Sequence, residues 1–157
     1  MMDFSVVITT YNRPDYLEQS LKSVLAQHVQ PKEIIVIDDN STASYTDVLS
    51  KFDDVRIKYL KQPVSGGANV ARNRGVKESS GDVVAFLDDD DVWLPVYLDH
   101  HQEKYLDGAD AVVSGFRHLG HESKIRINSD TVVSKTSLIR GNHYCGMSGF
   151  SAKRDLL

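Results

Sequence analysis

Val83-Val84-Ala85-Phe86-Leu87-Asp88-Asp89-Asp90-Asp91 is the stretch on which the reading of this chain turns. Five apolar residues, β-branched and aromatic among them, read as a short buried strand. The strand stops on four consecutive carboxylates. In open α/β sheets ligands bind beyond the carboxyl ends of the strands, so acceptor oxygens are set where a ligand would sit. Like charges this close repel unless a cation neutralises them. A hard divalent cation, Mn²⁺ or Mg²⁺, held together with phosphate oxygens, meets that need. An isolated acidic run is more simply a solvated turn. The buried strand before this one, Trp93-Leu94-Pro95 after it and the segments upstream favour a ligand site.

Upstream, residues 4–10 form a β-branched run that reads as strand one. Pro14 suits the first turn of a helix, where a missing N–H costs nothing. Leu17, Leu21, Val24, Leu25 and His28 follow at helical spacing, and Pro31 ends that helix. Residues 33–37 read as strand two. A polar loop rich in helix caps, Asp38-Asp39-Asn40-Ser41-Thr42, leads to a short helix through Leu49 and to strand three at 55–60. Gly66-Gly67 breaks the chain before a helix at 68–78, and Gly81-Asp82 turns into strand four at 83–87. Further on lie a helix at 95–106 and strand five at 111–116. Past Gly120 the pattern weakens, with short antiparallel strands expected at 124–127 and 131–133. Strands alternating with helices predict an α/β fold, a three-layer sandwich with a mainly parallel central sheet.

At 157 residues the chain is long enough for one domain with a real core. A net charge of -4 and no evident basic face argue against a nucleic-acid partner. No apolar stretch approaches the roughly 18 residues of a transmembrane segment. Met1-Met2-Asp3-Phe4 has no basic segment before an apolar run, so it does not read as a secretory signal. Cys145 is the one cysteine, which excludes an internal disulfide and fits a reducing compartment. It reads as a small buried apolar residue. The six histidines form no metal pattern. His100 and His101 are adjacent on a helix and read as solvated, while His118, His121 and His143 lie where the pattern is weak.

In a parallel sheet the loops that follow strands share one edge, so Thr9 to Arg13, Asp38 to Ser41 and Asp88 to Asp91 are expected to converge. Tyr11 offers a ring for stacking and a hydroxyl. Asp38 or Asp39 can accept from a base N–H or a ribose hydroxyl. Arg72 and Arg74, behind Gly66-Gly67, can face phosphates. Together these are the parts of a nucleotide-diphosphate site. Each has a plainer reading: Tyr11 covering the sheet end, Asp38 or Asp39 capping the next helix, the arginines a solvated helix face. Their order along one chain favours the site.

At this point the sequence resembles a family 2 glycosyltransferase with a GT-A (Rossmann-like) nucleotide-diphospho-sugar core. The resemblance rests on Ser5-Val6-Val7-Ile8-Thr9-Thr10-Tyr11-Asn12-Arg13, Glu33-Ile34-Ile35-Val36-Ile37-Asp38-Asp39-Asn40-Ser41, Gly66-Gly67-Ala68-Asn69-Val70-Ala71-Arg72-Asn73-Arg74-Gly75 and Gly81 through Asp91. A weaker match is Ser148-Gly149-Phe150-Ser151-Ala152-Lys153-Arg154. The resemblance implies a donor, usually a UDP-sugar, and inverting, metal-dependent transfer to the hydroxyl of a saccharide or lipid-linked acceptor, as in polysaccharide biosynthesis. It implies Thr9 and Tyr11 at the base, Asp39 reading uracil or ribose, and Arg13, Gly67 and Arg72 lining the nucleotide pocket. Asp88-Asp89-Asp90 fills the family's Asp-x-Asp motif. Asp90 is the first choice for contact with Mn²⁺ or Mg²⁺, Asp88 reaches ribose or the metal shell, Asp89 lies at the nucleotide, and Asp91 anchors the loop.

The family's base is an Asp or Glu beyond the Ser-Gly-Phe-type segment. Leu157 comes before that position, and Asp155 sits where a helix starts and is not assigned the role. The expectation is therefore one GT-A domain over 1–157. In it 1–95 form the donor-binding half and 96–157 open the acceptor-side half of a longer enzyme, in the cytoplasm or at the inner face of the membrane. Three rivals stand beside it. A receiver domain would begin at Ile34 and use Asp91 ahead of Pro95, but it leaves a full strand and helix before Ile34 unexplained. A nucleotidyltransferase would need a glycine-rich loop where Thr10-Tyr11-Asn12-Arg13-Pro14 stands. A non-catalytic nucleotide-binding fragment is the third.

Overall fold

The computed structural model describes residues 2–120, 125–126 and 146–157. Its framework is three strands without an exposed residue among their apolar positions: β1 (Phe4–Thr10), β2 (Glu33–Asp38) and β4 (Val83–Asp88). β-Branched runs buried on both faces are what a parallel sheet covered by helices requires. β1 pairs in parallel with β2 on one side and β4 on the other. The edge strand β3 (Ile57–Lys61) continues beyond β2. The sheet order is β3-β2-β1-β4-β8-β5, with β5 at Ala111–Val113 and β8 at Phe150–Lys153. β8 runs antiparallel to both β4 and β5.

Alternation along the strands sorts the core into two layers. Phe4, Val6 and Ile8, with Ile34, Val36, Val83, Ala85 and Leu87, pack against α1 (Pro14–Leu25) through Leu17, Leu21 and Val24. The same layer takes Leu98 and Tyr105 of α4 (Tyr97–Leu106) and Leu49 of the single-turn α2 (Thr46–Leu49). On the other face Ile35 and Ile37 meet Ala71 of α3 (Ala68–Glu78), and Val7, Val84 and Phe86 meet its Val76. The α3 backbone lies so close to β1 that a Cβ on Gly75 would fall 2.3 Å from Val7 Cγ1. The result is the expected three-layer α/β sandwich.

Several boundaries differ from the expectation. β3 starts at Ile57, because Val55 is 98% exposed and has nothing to pack against. The first helix ends at Leu25, so His28 is exposed and Gln27 is the buried residue there. The expected strand at 111–116 divides. Ala111–Val113 stays in the sheet, while β6 (Phe116–Arg117) pairs antiparallel with β7 (Ile125–Arg126) in a separate ribbon. The expected strand at 131–133 and Cys145, His121 and His143 lie outside the described residues. His101 is corrected outright. It is 1% exposed, on the face of α4 that carries Leu98 and Tyr105, and its ring nitrogens lie 2.7 Å from Ser151 Oγ and Ser114 Oγ.

Candidate nucleotide site at the sheet edge

Register places the chemistry. Thr10 is opposite Asp38 and Thr9 is opposite Asp88, so the ends of β2, β1 and β4 lie side by side. From β1 the chain order runs outward through β2 and β3 on one side and restarts at β4 on the other. That reversal between β1 and β4 is the switch point at which open α/β sheets bind ligands. The three loops do converge. Asp39 N–H donates to Thr10 O at 3.0 Å, and Asn12 N–H donates to Ser41 Oγ at 2.8 Å.

The four aspartates do not act as one cluster. The Asp88, Asp89 and Asp90 side chains are 28%, 0% and 47% exposed, so the chain alternates outward, inward, outward. Asp88 Oδ1 accepts from Arg72 Nη2 at 2.6 Å and from Thr9 Oγ1 at 3.3 Å. Asp89 accepts from Thr10 Oγ1 at 2.6 Å and pairs with Arg13 Nη2 at 2.6 Å. Arg13 Nη1 reaches Asp90 Oδ2 at 2.7 Å. Two arginines thus supply the neutralisation that neighbouring carboxylates demand. Burial pushes the Asp89 carboxyl above its ordinary range. The Thr10 bond and Arg13 pull it back, and Asp90 adds to the rise. Burial lowers the Arg13 pKa, but Asp89 and Asp90 outweigh it and leave the guanidinium pKa raised.

Among the described residues no three carboxylate, imidazole or thiol groups converge into a self-sufficient metal cage. The donor set nevertheless fits Mg²⁺ or Mn²⁺. Such ions are often held by one or two carboxylates, with substrate phosphates and water completing the shell. The described bonds of Asp88 use Oδ1 and those of Asp90 use Oδ2, leaving the second oxygen of each for a cation.

Asp39 is 5% exposed and fully engaged. It accepts from Gly66 N–H at 2.8 Å, Gly67 N–H at 2.9 Å, Ser65 Oγ at 2.6 Å and Gln62 Nε2. Burial raises its pKa, but the donors of Gly66, Ser65, Gly67 and Gln62 together hold it below the ordinary value. Gly67 has φ 84°, a conformation that favours glycine, and its carbonyl accepts the Ala71 N–H in the first turn of α3. Asp39 thereby ties the end of β2 to the loop that launches α3 and aims Arg72 at Asp88. Asp38 caps neither helix. It accepts from Ser41 N–H at 2.8 Å and from the Tyr59 hydroxyl. Tyr11 stands 49% exposed at the end of β1. Arg74 turns away from this edge, donating to Lys61 O at 2.9 Å.

Three residues of this site carried no assignment in the sequence reading. Asn12 sits at φ 55° and its Oδ1 accepts from Thr42 N–H at 2.8 Å and Ala43 N–H at 3.1 Å. An asparagine before Arg-Pro is a turn signal that points to such a role. Tyr45 OH lies 2.7 Å from Thr10 Oγ1 and accepts Arg13 N–H at 3.1 Å. Ser148 Oγ accepts Asp88 N–H at 3.0 Å. Tyr45 is distant in sequence from what it holds, so no local pattern marks it, and the Ser-Gly-Phe segment flags Ser148 without revealing its partner. The receiver reading fails on topology, because β1, which it leaves outside, is the strand on which β2 and β4 both pair.

Known proteins resemble this chain in sequence and in fold. The chain is 40% identical over 111 residues to the GalNAc(5)-diNAcBac-PP-undecaprenol beta-1,3-glucosyltransferase of Campylobacter jejuni, covering 69% of this chain and 36% of that protein. It is 39% identical over 90 residues to the Escherichia coli UDP-Glc:alpha-D-GlcNAc-diphosphoundecaprenol beta-1,3-glucosyltransferase WfaP, covering 57% and 36%. Among solved structures, S. aureus TarS 1-349 superposes with a TM-score of 0.77 at 23% identity, covering 99% of this chain and 48% of that one. Its complex with UDP-GlcNAc gives 0.68 at 26% identity, covering 85% and 37%. The chain therefore spans about a third of the length of these curated relatives and about half of TarS 1-349. The fold is that of the GT-A glycosyltransferases. The profile of the family described as glycosyl transferase family 2 matches residues 5–150, nearly the whole chain, and the chain belongs to that family.

Proposed function

We propose that residues 1–157 form the donor-binding part of an inverting, metal-dependent glycosyltransferase that uses a UDP-sugar. The observation that carries this reading is the set of Asp88, Asp90, Arg72 and Arg13 gathered at the β1–β4 switch point. In this reading Tyr11 stacks on the base, and the Asp39-braced loop with Gly67 borders the base and ribose. Arg72 faces the diphosphate, and Asp88 and Asp90 would hold Mn²⁺ or Mg²⁺ against its oxygens. Asp89, buried and paired to Arg13, fixes the loop from beneath. The divalent ion, when bound, stabilises charge on the departing diphosphate. Arg72 adds a fixed positive charge on the same side.

The reaction is a displacement. An acceptor hydroxyl oxygen bonds to the anomeric carbon from the face opposite the nucleotide. The bond from that carbon to the phosphate oxygen breaks, its electron pair leaves with UDP, and a carboxylate base takes the hydroxyl proton. We assign that base to none of the described carboxylates. Asp88 and Asp90 would hold the cation, Asp89 is buried, and Asp39 has its oxygens filled by the loop. The base and the acceptor site belong, in this proposal, to the region matching the remaining length of the relatives.

The names of the relatives support the substrate class. WfaP takes UDP-Glc, both enzymes act on diphosphoundecaprenol-linked saccharides, and TarS has been solved with UDP-GlcNAc. A saccharide hydroxyl on a lipid diphosphate carrier is the acceptor we propose, met at the cytoplasmic face of the membrane. Among the described residues no helix is long and apolar enough to cross a membrane. Displacement of a fluorescent UDP analogue by UDP, GDP and dTDP, with Tyr11→Ala alongside, tests the donor assignment. UDP should compete best, and Tyr11→Ala should weaken it. Failure of all three nucleotides to compete would overturn the reading.

A further inference from the structure

The loop bearing Asp88 and Asp90 leaves the sheet at the end of β4 and returns to the core at Trp93. Both ends are fastened to one residue. Asp88 N–H donates to Ser148 Oγ at 3.0 Å, and the Trp93 indole N–H donates to Ser148 O at 2.6 Å. Ser148 lies in a single 3-10 turn, Met147–Gly149, that feeds directly into β8. That turn is itself braced. Gly149 O accepts Ser114 N–H at 2.7 Å, and Ala85 of β4 is paired with Ser151 of β8. From Trp93 a run of stacked rings continues along α4. Trp93 and Tyr97 centroids lie 4.0 Å apart at 11°, and Tyr97 and His101 lie 4.1 Å apart. His101 closes the circuit by bonding to Ser151 and Ser114, on β8 and just after β5.

We infer that Ser148 is a positioning residue for the donor site. Resting on the donor reading above, its hydroxyl fixes the backbone of Asp88, and its carbonyl fixes the far end of the loop at Trp93. The Asp88 carboxylate is then held beside Arg72, where it would take up the cation. A carboxylate held by a rigid frame loses no freedom when it takes up a cation, whereas a wandering loop must be ordered first. The second half of the described chain, distant in sequence from Asp88, thereby sets how well the first half binds metal and, only through that metal, the diphosphate.

This separates Ser148 from a residue that only stabilises the fold. The loop below Tyr11 and Asp39 has its own bonds and does not depend on Ser148. Ser148→Ala should therefore raise the UDP dissociation constant about 3- to 10-fold when Mn²⁺ is present, the loss expected for one hydrogen bond. It should leave binding in EDTA unchanged. Ser148→Thr, which keeps the hydroxyl, should restore the parent value. Trp93→Phe, which keeps the ring stack but removes the indole N–H, should show the same selective loss. Amide exchange at Asp88, followed by NMR without ligand, should accelerate in Ser148→Ala and not in Ser148→Thr. The experiment is calorimetric titration of UDP into all four chains, with and without Mn²⁺, beside the exchange measurement. Parent binding with an unaltered Ser148→Ala, or with equal losses in Mn²⁺ and EDTA, overturns the positioning role alone. A parent chain that binds no UDP with Mn²⁺ overturns the donor reading, and the positioning claim with it.

Discussion

Arg13→Met removes the cation from a buried carboxylate and keeps an apolar stem of similar length. The Asp89 side chain is 0% exposed, and Arg13 lies 2.6 Å away. Stripping one partner from a fully buried pair costs about 3–5 kcal/mol. The Arg13 side chain is 43% exposed, so water already screens part of that attraction, and Asp89 keeps its Thr10 bond. A loss of about 2 kcal/mol is the expectation, which for a domain of this size lowers the melting temperature by about 4–8 °C. The pH dependence has a definite sign. Burial holds the Asp89 carboxyl above its ordinary value against the pull of Thr10 and Arg13. A carboxyl raised in the folded state favours folding most at pH below its unfolded value. That contribution is lost as pH rises through the interval between the unfolded and folded values. Without Arg13 the folded value moves higher still and the interval widens. The deficit of Arg13→Met should be largest at neutral pH and shrink on acidification, with Asp89→Asn in the same chain recovering most of it. Thermal and urea unfolding at neutral and mildly acidic pH read this directly. A neutral-pH melting point within about 1 °C of the parent, or a deficit that grows on acidification, would refute the reasoning.

Other sites give sharper pH signatures. His101 is held neutral, its pKa lowered to about 3 first by burial and then by His100, so its contribution is complete above 6.5 and is lost as pH falls toward 3. His101→Gln should remove one proton from the stability–pH slope in that window, about 1.4 kcal/mol per pH unit, and an unchanged slope in denaturant unfolding would contradict it. Glu33 is 3% exposed; burial raises its carboxyl, but Lys58, Ser5 and Ser80 outweigh this and hold it at about 2. Glu33→Gln should cost on the order of 2 kcal/mol at neutral pH, and the difference from the parent in urea unfolding should fade as pH drops below 4.5. Gly75→Ala drives a methyl into Val7 and should destabilise by about 1–3 kcal/mol in the same assay, with Val7→Ala in the same chain recovering part of the loss.

The sheet was legible because β1, β2 and β4 are built from apolar, β-branched runs that admit one reading. The site edge followed, since parallel strands deliver their loops to the same side. β8 was not legible as a strand. It is four residues long, reaches its partners from far along the chain, and inserts antiparallel where alternation of helix and strand gives no hint. His101 could have been read correctly. Leu98, His101 and Tyr105 recur at helical spacing, and that periodicity outweighs the polarity of an imidazole with two hydroxyl partners. The four aspartates exposed a different limit. Composition and position identified the cluster, but which carboxylate turns inward depends on Thr10 and Arg13, nearly eighty residues away. Asp39 shows the same dependence, because the donors that fill its oxygens come from Gln62 to Gly67.

The most direct test of the donor-site account is calorimetric titration of UDP into this chain with Mn²⁺ and again with EDTA, beside Asp90→Ala. The account predicts saturable binding that strengthens with Mn²⁺ and loses that metal-dependent gain in Asp90→Ala. Binding of equal strength with and without Mn²⁺ in both chains, or no binding at all, would contradict it.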